Sequence, residues 1–164
     1  MAGLLLWVQS FEKGDARVRK EIFNLYLRHT RWINSWDLVD LSAPQIVGGS
    51  LEATKLDLLD RLAGSKRVWD RRIAVVATLT FIRHNDFKPC LRLCRQLLND
   101  EHDLMHKACG WMLREVGKRD RDTLRAFLQA HAHQMPRTML RYSLEHFQPD
   151  ERQHWMGARA KAVA

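Results

Sequence analysis

The sequence predicts an all-α protein, and three observations carry that prediction. Apolar residues recur with a 3.6-residue period in one segment after another, period-2 alternation is almost absent, and Gly and Pro punctuate the segments. The 164 residues suit a single domain over 1–164, since a chain of about 150 residues buries roughly 68–70% of its unfolded surface.

Taken in order, the chain opens on Met1-Ala-Gly-Leu-Leu-Leu-Trp-Val, a short apolar stretch without a basic start that meets Gln9 and so makes a poor signal peptide. Segment 15–31 sets Val18, Ile22, Leu25 and Tyr26 at helical spacing. Segment 32–42 is a short helix ending before Pro44, which opens a further short helix at 44–48, where a missing N–H is harmless. Gly48-Gly49 then breaks the chain. Segment 51–63 repeats Leu51, Leu58, Leu59 and Leu62 and stops at Gly64. Segment 68–84 is the longest apolar stretch; β-branched residues would suit a strand, but its length and terminal charges favour one buried helix. Segment 89–98 carries Leu91, Leu93, Leu97 and Leu98, and helices at 103–117, 120–133, 137–147 and 150–161 follow. Gly117, Pro136 and Pro149 are the breaks, and Asp120 is placed to cap the helix before Thr123-Leu124.

A longer period overlies these helices. Arg72-Ile-Ala, Lys107-Ala-Cys and Arg141-Tyr-Ser lie 35 and then 34 residues apart, each a basic residue with a small one two positions on. A turn and a second amphipathic helix separate them, so the unit is a helix hairpin. Stacked hairpins form an α-solenoid with one concave groove, and a HEAT-like stack fits better than tetratricopeptide repeats, whose Trp, Leu-Gly and Tyr offsets are missing.

The 27 Lys+Arg against 19 Asp+Glu give a net charge of +8, which suits either an anionic partner such as a phosphate backbone or simple solubility. No block of like charge forms a tail, so any basic surface must be assembled by the fold. No apolar run approaches the roughly 18 residues of a membrane span. Three cysteines close no disulfide framework and complete no four-Cys cluster within the chain. A soluble, cytoplasmic protein is the expectation.

In a solenoid, Arg72, Lys107 and Arg141 form a stripe of positive charge along the groove, where each phosphate neutralised releases counterions. Trp111 lies four residues after Lys107, and Trp36 four before Asp40, each pair on one helical face. An indole one turn from a charge can bind a cation or sugar ring, so Trp36 and Trp111 read as functional, Trp32 and Trp69 as packing. A carboxylate at Asp37 or Asp40 beside these rings can stabilise positive charge developing on a sugar. The same spacing equally suits Asp37 as a helix cap and Asp40 as the partner of a nearby arginine.

Three runs occur in this order: Trp36-Asp-Leu-Val-Asp40 with Leu-Ser-Ala-Pro-Gln-Ile-Val-Gly48, then Trp69-Asp-Arg-Arg-Ile-Ala74, then His106-Lys-Ala-Cys-Gly-Trp-Met-Leu-Arg-Glu-Val-Gly-Lys118. From about residue 5 to 148 the chain resembles the bacterial DNA alkylation-repair glycosylase family of HEAT-like repeats, the alkylpurine DNA glycosylases. The resemblance implies hydrolysis of the N-glycosidic bond of N3- or N7-alkylated purines, of the 3-methyladenine and 7-methylguanine type, in duplex DNA, without metal or other cofactor. It implies Asp40 as the catalytic carboxylate, Trp36 and Trp111 as aromatic walls, and Arg72 near the lesion-bearing backbone. Lys107 and Arg141 become lesser DNA-backbone contacts, and Asp37 a structural neighbour. Members of the family carry further helices ahead of the segment that starts here at Met1. Leu4, Leu5, Leu6, Trp7, Val8 and Phe11 are therefore expected to present a bare apolar surface.

The alternative is a non-catalytic HEAT-repeat DNA-binding module, which shares the basic groove but does not need Asp40. A protein scaffold, the third option, needs no salt-sensitive DNA affinity. His102 and His106, and His131 and His133, complete no recognised metal-ligand set. Cys90, Cys94 and Cys109 fall at apolar helix positions and read as buried thiols, and Lys107 reads as a phosphate ligand rather than a Schiff-base nucleophile.

Overall fold

The computed structural model describes residues 2–51 and 56–158, and every regular element among them is helical. The first helix, α1 (Ala2–Lys13), buries Phe11 and packs Leu4, Trp7 and Val8 half-buried on the core, with the Trp7 ring edge-on to His29 at 5.9 Å. Leu5 and Leu6 stay 45% and 61% exposed. The apolar cluster expected to lie bare is thus divided, because one side of α1 covers the protein's own core.

Helix α2 (Ala16–Arg28) starts where the Asp15 carboxylate accepts from the Val18 N–H at 2.9 Å, and it buries Ile22 and Tyr26. A 3₁₀ turn at Thr30–Trp32 ends this segment. Helix α3 (Trp36–Ser42) then runs without interruption into a π-helical turn at Ala43–Val47 and a 3₁₀ turn at Gly48–Ser50. The expected breaks before Pro44 and at Gly48-Gly49 are absent. Pro44 enters the wide turn at its start, and the Gly48 N–H closes the turn on the Ala43 and Pro44 carbonyls. Gly48 is needed for contact: a Cβ there would strike the Ala77 carbonyl and lie 2.6 Å from the Thr80 hydroxyl. That hydroxyl donates to the Pro44 carbonyl at 2.5 Å.

Helix α4 (Asp57–Ala63) is shorter than the expected 51–63, because Leu51 is extended; residues 52–55 lie outside the described residues. The expected helix over 68–84 is divided into α5 (Val68–Ala77) and α6 (Leu79–Arg83). At Thr78 the N–H and the hydroxyl both donate to the Val75 carbonyl, at 3.1 and 2.6 Å, which tightens the helix and bends it. Residues 73–77 of α5 have no exposed surface, so this helix is the centre of the core.

Helix α7 (Lys88–Gln96) follows Asn85, whose φ of 62° ends α6. Helix α8 (Asp103–Arg119) is capped by the His102 ring, which accepts from the Leu104 N–H at 3.2 Å. Asp120 caps α9 (Arg121–His131) as expected, its carboxylate accepting from the Asp122 and Thr123 N–H groups at 3.0 Å each. Helix α10 (Arg137–Ser143) ends before the expected 147, and α11 (Pro149–Ala158) covers the described part of the expected 150–161. Cys90, Cys94 and Cys109 are buried thiols, and the contacts with Cys109 and Cys90, together with burial, push Cys94 well up. Among the described residues no helix is long and apolar enough to cross a membrane.

Packing runs from neighbour to neighbour. Helix α3 packs on α5, α5 on α8 and α8 on α10, while α4, α7 and α9 pack beside α5 and α8. The helices that carry Arg72, Lys107 and Arg141 are therefore adjacent in space. Gly110 permits the approach of α10 to α8: a Cβ there would lie 2.5 Å from the Tyr142 Cβ and 2.6 Å from the Met139 carbonyl. Gly110→Ala is expected to push α10 away from α8 and to lower stability by about 1–3 kcal/mol, read as the shift in urea midpoint.

Candidate active site

The first functional face belongs to α3. Ser35 is extended and hydrogen-bonds the Asp37 carboxylate, which holds that carboxyl below its ordinary value. Asp37 is thus engaged at the helix start. With that start fixed, the four-residue spacing brings Trp36 and Asp40 to one side, and Val39 next to them turns fully into the core. Beneath them Ser42 donates to the Leu38 carbonyl at 2.6 Å, so its oxygen is left to accept from the Tyr26 hydroxyl at 3.0 Å. Burial pushes the Tyr26 phenol far up, so it is a neutral donor supporting α3 from below.

Arg72 arrives from α5. Its Nε donates to one Asp40 oxygen at 3.0 Å, its Nη2 to the other at 2.8 Å, and its Nη1 to the Leu104 carbonyl of α8 at 2.9 Å. The Arg72 side chain is 6% exposed and that of Asp40 18%. Arg72 is therefore no free cation on a groove wall, as the charge stripe supposed. All three of its nitrogens are committed inside the protein, and it fixes the Asp40 carboxylate by its planar fork.

Helix α8 supplies the facing wall. Leu104, Lys107, Trp111 and Arg114 fall at helical spacing along one side of it, and Tyr142 joins them from α10 across the Gly110 contact. Together with Trp36, Asp40 and Arg72 they enclose a cleft of about 410 Å³. Trp36 is 60% exposed, whereas Trp111 is half-buried, its indole N–H donating to Glu115 at 3.1 Å. Lys107 pairs with Asp103 at 2.7 Å on the exposed rim; this contact raises Lys107 and lowers Asp103 relative to their ordinary values. Arg114 pairs with Glu145. The Asp40–Arg72, Lys107–Asp103 and Arg114–Glu145 pairs are each neutral as a unit, and Lys107 and Arg114 are the cationic members that line the cleft beside Arg72.

Five of the six site residues expected from the sequence thus line one cleft. The sixth, Arg141, is exposed and outside this lining, its guanidinium 5.8 Å from the Tyr142 ring centre. Trp69 packs half-buried on the core, but Trp32 is 63% exposed with the Arg31 guanidinium 4.9 Å from its ring. Trp32 sits on a 3₁₀ turn rather than a packed helix, which leaves its ring outside the core. The His102 and His106 rings are both engaged, one as the α8 cap and one with the Asp100 carbonyl.

A family model described as DNA alkylation repair enzyme matches residues 1–147, which take in every residue of the cleft. The chain belongs to this family. A comparison with curated proteins found no match. Membership in the DNA alkylation repair enzyme family implies a DNA substrate. In this family member the sequence reading missed Arg114 and Tyr142. Arg114 was within reach of helical spacing, lying three residues after Trp111. Tyr142 was not, because only the α8–α10 approach decides that it, and not Arg141, turns inward.

The rim pair has a measurable signature. Asp103 is depressed in the folded state, so its stabilising contribution is present above about pH 4 and is lost as acid carries the pH down through its folded value. Lys107→Ala is expected to move the Asp103 carboxyl upward in a carbon-detected NMR titration; an unmoved titration would show that Lys107 does not hold it.

Proposed function

We propose that this protein is a DNA glycosylase that hydrolyses the N-glycosidic bond of N3- or N7-alkylated, cationic purines in duplex DNA. Such a base already carries positive charge and leaves neutral, so it needs little help from a general acid. The sugar left behind resembles an oxocarbenium ion, which a fixed carboxylate and two indole faces can stabilise. Asp40 is the catalytic residue of this reading, with Trp36 and Trp111 as the walls against the sugar. The single observation that carries it is the bidentate hold of Arg72 on an Asp40 carboxylate that still faces the cleft.

Arg72 is then a positioning residue, acting on the reaction through Asp40. Lys107 and Arg141 contact the DNA backbone, with Arg114 now added on the same side as Lys107. The neighbour-to-neighbour packing of α3, α5, α8 and α10 supports a HEAT-like solenoid with these residues along its concave side. The chemistry asks for neither metal nor organic cofactor.

The same bidentate pair also favours a second reading, a DNA-binding module in which Asp40 serves only to anchor Arg72. The two readings separate at Asp40→Asn. The glycosylase reading expects about 10²–10³-fold slower release of N7-methylguanine from methylated duplex DNA, with duplex affinity kept or raised. Hypoxanthine, a neutral lesion, is expected to be released far more slowly than N7-methylguanine by the unaltered protein. Binding of alkylated DNA without release of any base gives the second reading the case.

A further inference from the structure

We propose that a second cleft, on the far side of Trp111, is a phosphate seat built from Arg83, Lys118 and Arg119 for the DNA backbone beyond the stretch held at the first cleft. This inference rests on the reading of the protein as a duplex DNA enzyme. The second cleft measures about 420 Å³, and Trp111 lines both it and the first, so the indole is a partition between the two. Leu79 and Ile82 form part of its floor.

Its charge is positive and placed to stay so. Against three cations stands one acid, Glu115, which is occupied by the Trp111 indole at 3.1 Å and by Lys118 at 2.8 Å. Arg119 is aimed by Asn85: its Nε donates to the Asn85 side-chain oxygen at 2.7 Å. Its two terminal nitrogens make no hydrogen bond among the described residues, and neither does the exposed Arg83 guanidinium. Asn85 holds a φ of 62°, a backbone that asparagine tolerates better than most residues, and so turns its amide towards α8. Arg83 and Arg119 each end a helix, α6 and α8, where the last carbonyls favour a cation.

At about 1.5 Å of rise per residue, Lys107 lies roughly 16–18 Å along α8 from Lys118 and Arg119. Successive phosphates of one strand lie roughly 3.4 Å apart along the axis, so the second cleft meets a different phosphate from the first.

The test uses the whole protein and short fluorescein-labelled DNA without any lesion, as duplex and as single strand, with anisotropy read over a series of salt concentrations. Replacing Arg83 and Arg119 together by Ala is expected to weaken duplex binding about tenfold. It is also expected to flatten the slope of log affinity against log salt by about 1.8, since each lost phosphate contact accounts for about 0.9. Single-strand binding is expected to weaken as well, with a smaller change of slope, and Lys at both positions to restore the slope. Unchanged duplex affinity and slope would overturn the seat. A native protein with no salt-sensitive duplex affinity would remove the DNA reading and the seat together. Duplex binding without base release would remove only the glycosylase reading.

Discussion

The contact between Arg72 and Asp40 holds the rest of the site in place. One guanidinium joins three elements: its own helix α5, Asp40 on α3 and the Leu104 carbonyl on α8. Burying such a group is costly unless each charge meets a partner, and removing one partner of a buried pair costs about 3–5 kcal/mol. The arrangement therefore constrains position as well as charge. A lysine would supply the charge but not the planar fork that fixes both oxygens of a carboxylate at once. The orientation of the Asp40 carboxylate and the alignment of three helices are thus one problem with one solution.

Helix α8 is the second constraint. Its length exceeds that of the other helices described, and its faces are used for different purposes. Met105, Cys109, Met112 and Leu113 are fully buried against neighbouring helices. Lys107, Trp111 and Arg114 face the first cleft, while Lys118 and Arg119 reach the second. Glu115 ties the indole of Trp111 to this polar side, so the wall between the clefts is set by a hydrogen bond as well as by packing. Gly110 lets α10 come close enough to add Tyr142.

Much of this was legible in the sequence, and what was not has a physical cause. Helical spacing alone paired Trp36 with Asp40 and Lys107 with Trp111, because those partners lie on one element. The 34–35-residue recurrence marked helices that prove adjacent in space. The same recurrence did not tell a buried arginine from an exposed one: Arg72 lies inside and Arg141 outside, a difference decided by Asp40 on another helix. Gly48 and Pro44 read as local breakers because their propensities are local, whereas tertiary contact with Ala77 and Thr80 keeps that stretch helical. The bend at Thr78 left no trace in hydropathy, because it depends on where one hydroxyl finds an acceptor. Trp32 shows the limit for large apolar residues, whose burial follows from their neighbours and not from their size.

The π-helical turn after α3 has a consequence for how this region tolerates change. An ordinary helix continued through 43–47 would keep one angular phase, and the side that bears Trp36 and Asp40 would reappear two turns later. The wider turn resets that phase. Ile46 and Val47 consequently enter the interior completely, although residues a few positions earlier look into an open cleft. A single uninterrupted stretch thereby serves wet and dry surroundings without a loop. Its residue count, more than its composition, is what must be preserved: inserting or deleting one residue would rotate either the indole and carboxylate or the aliphatic pair to the wrong side.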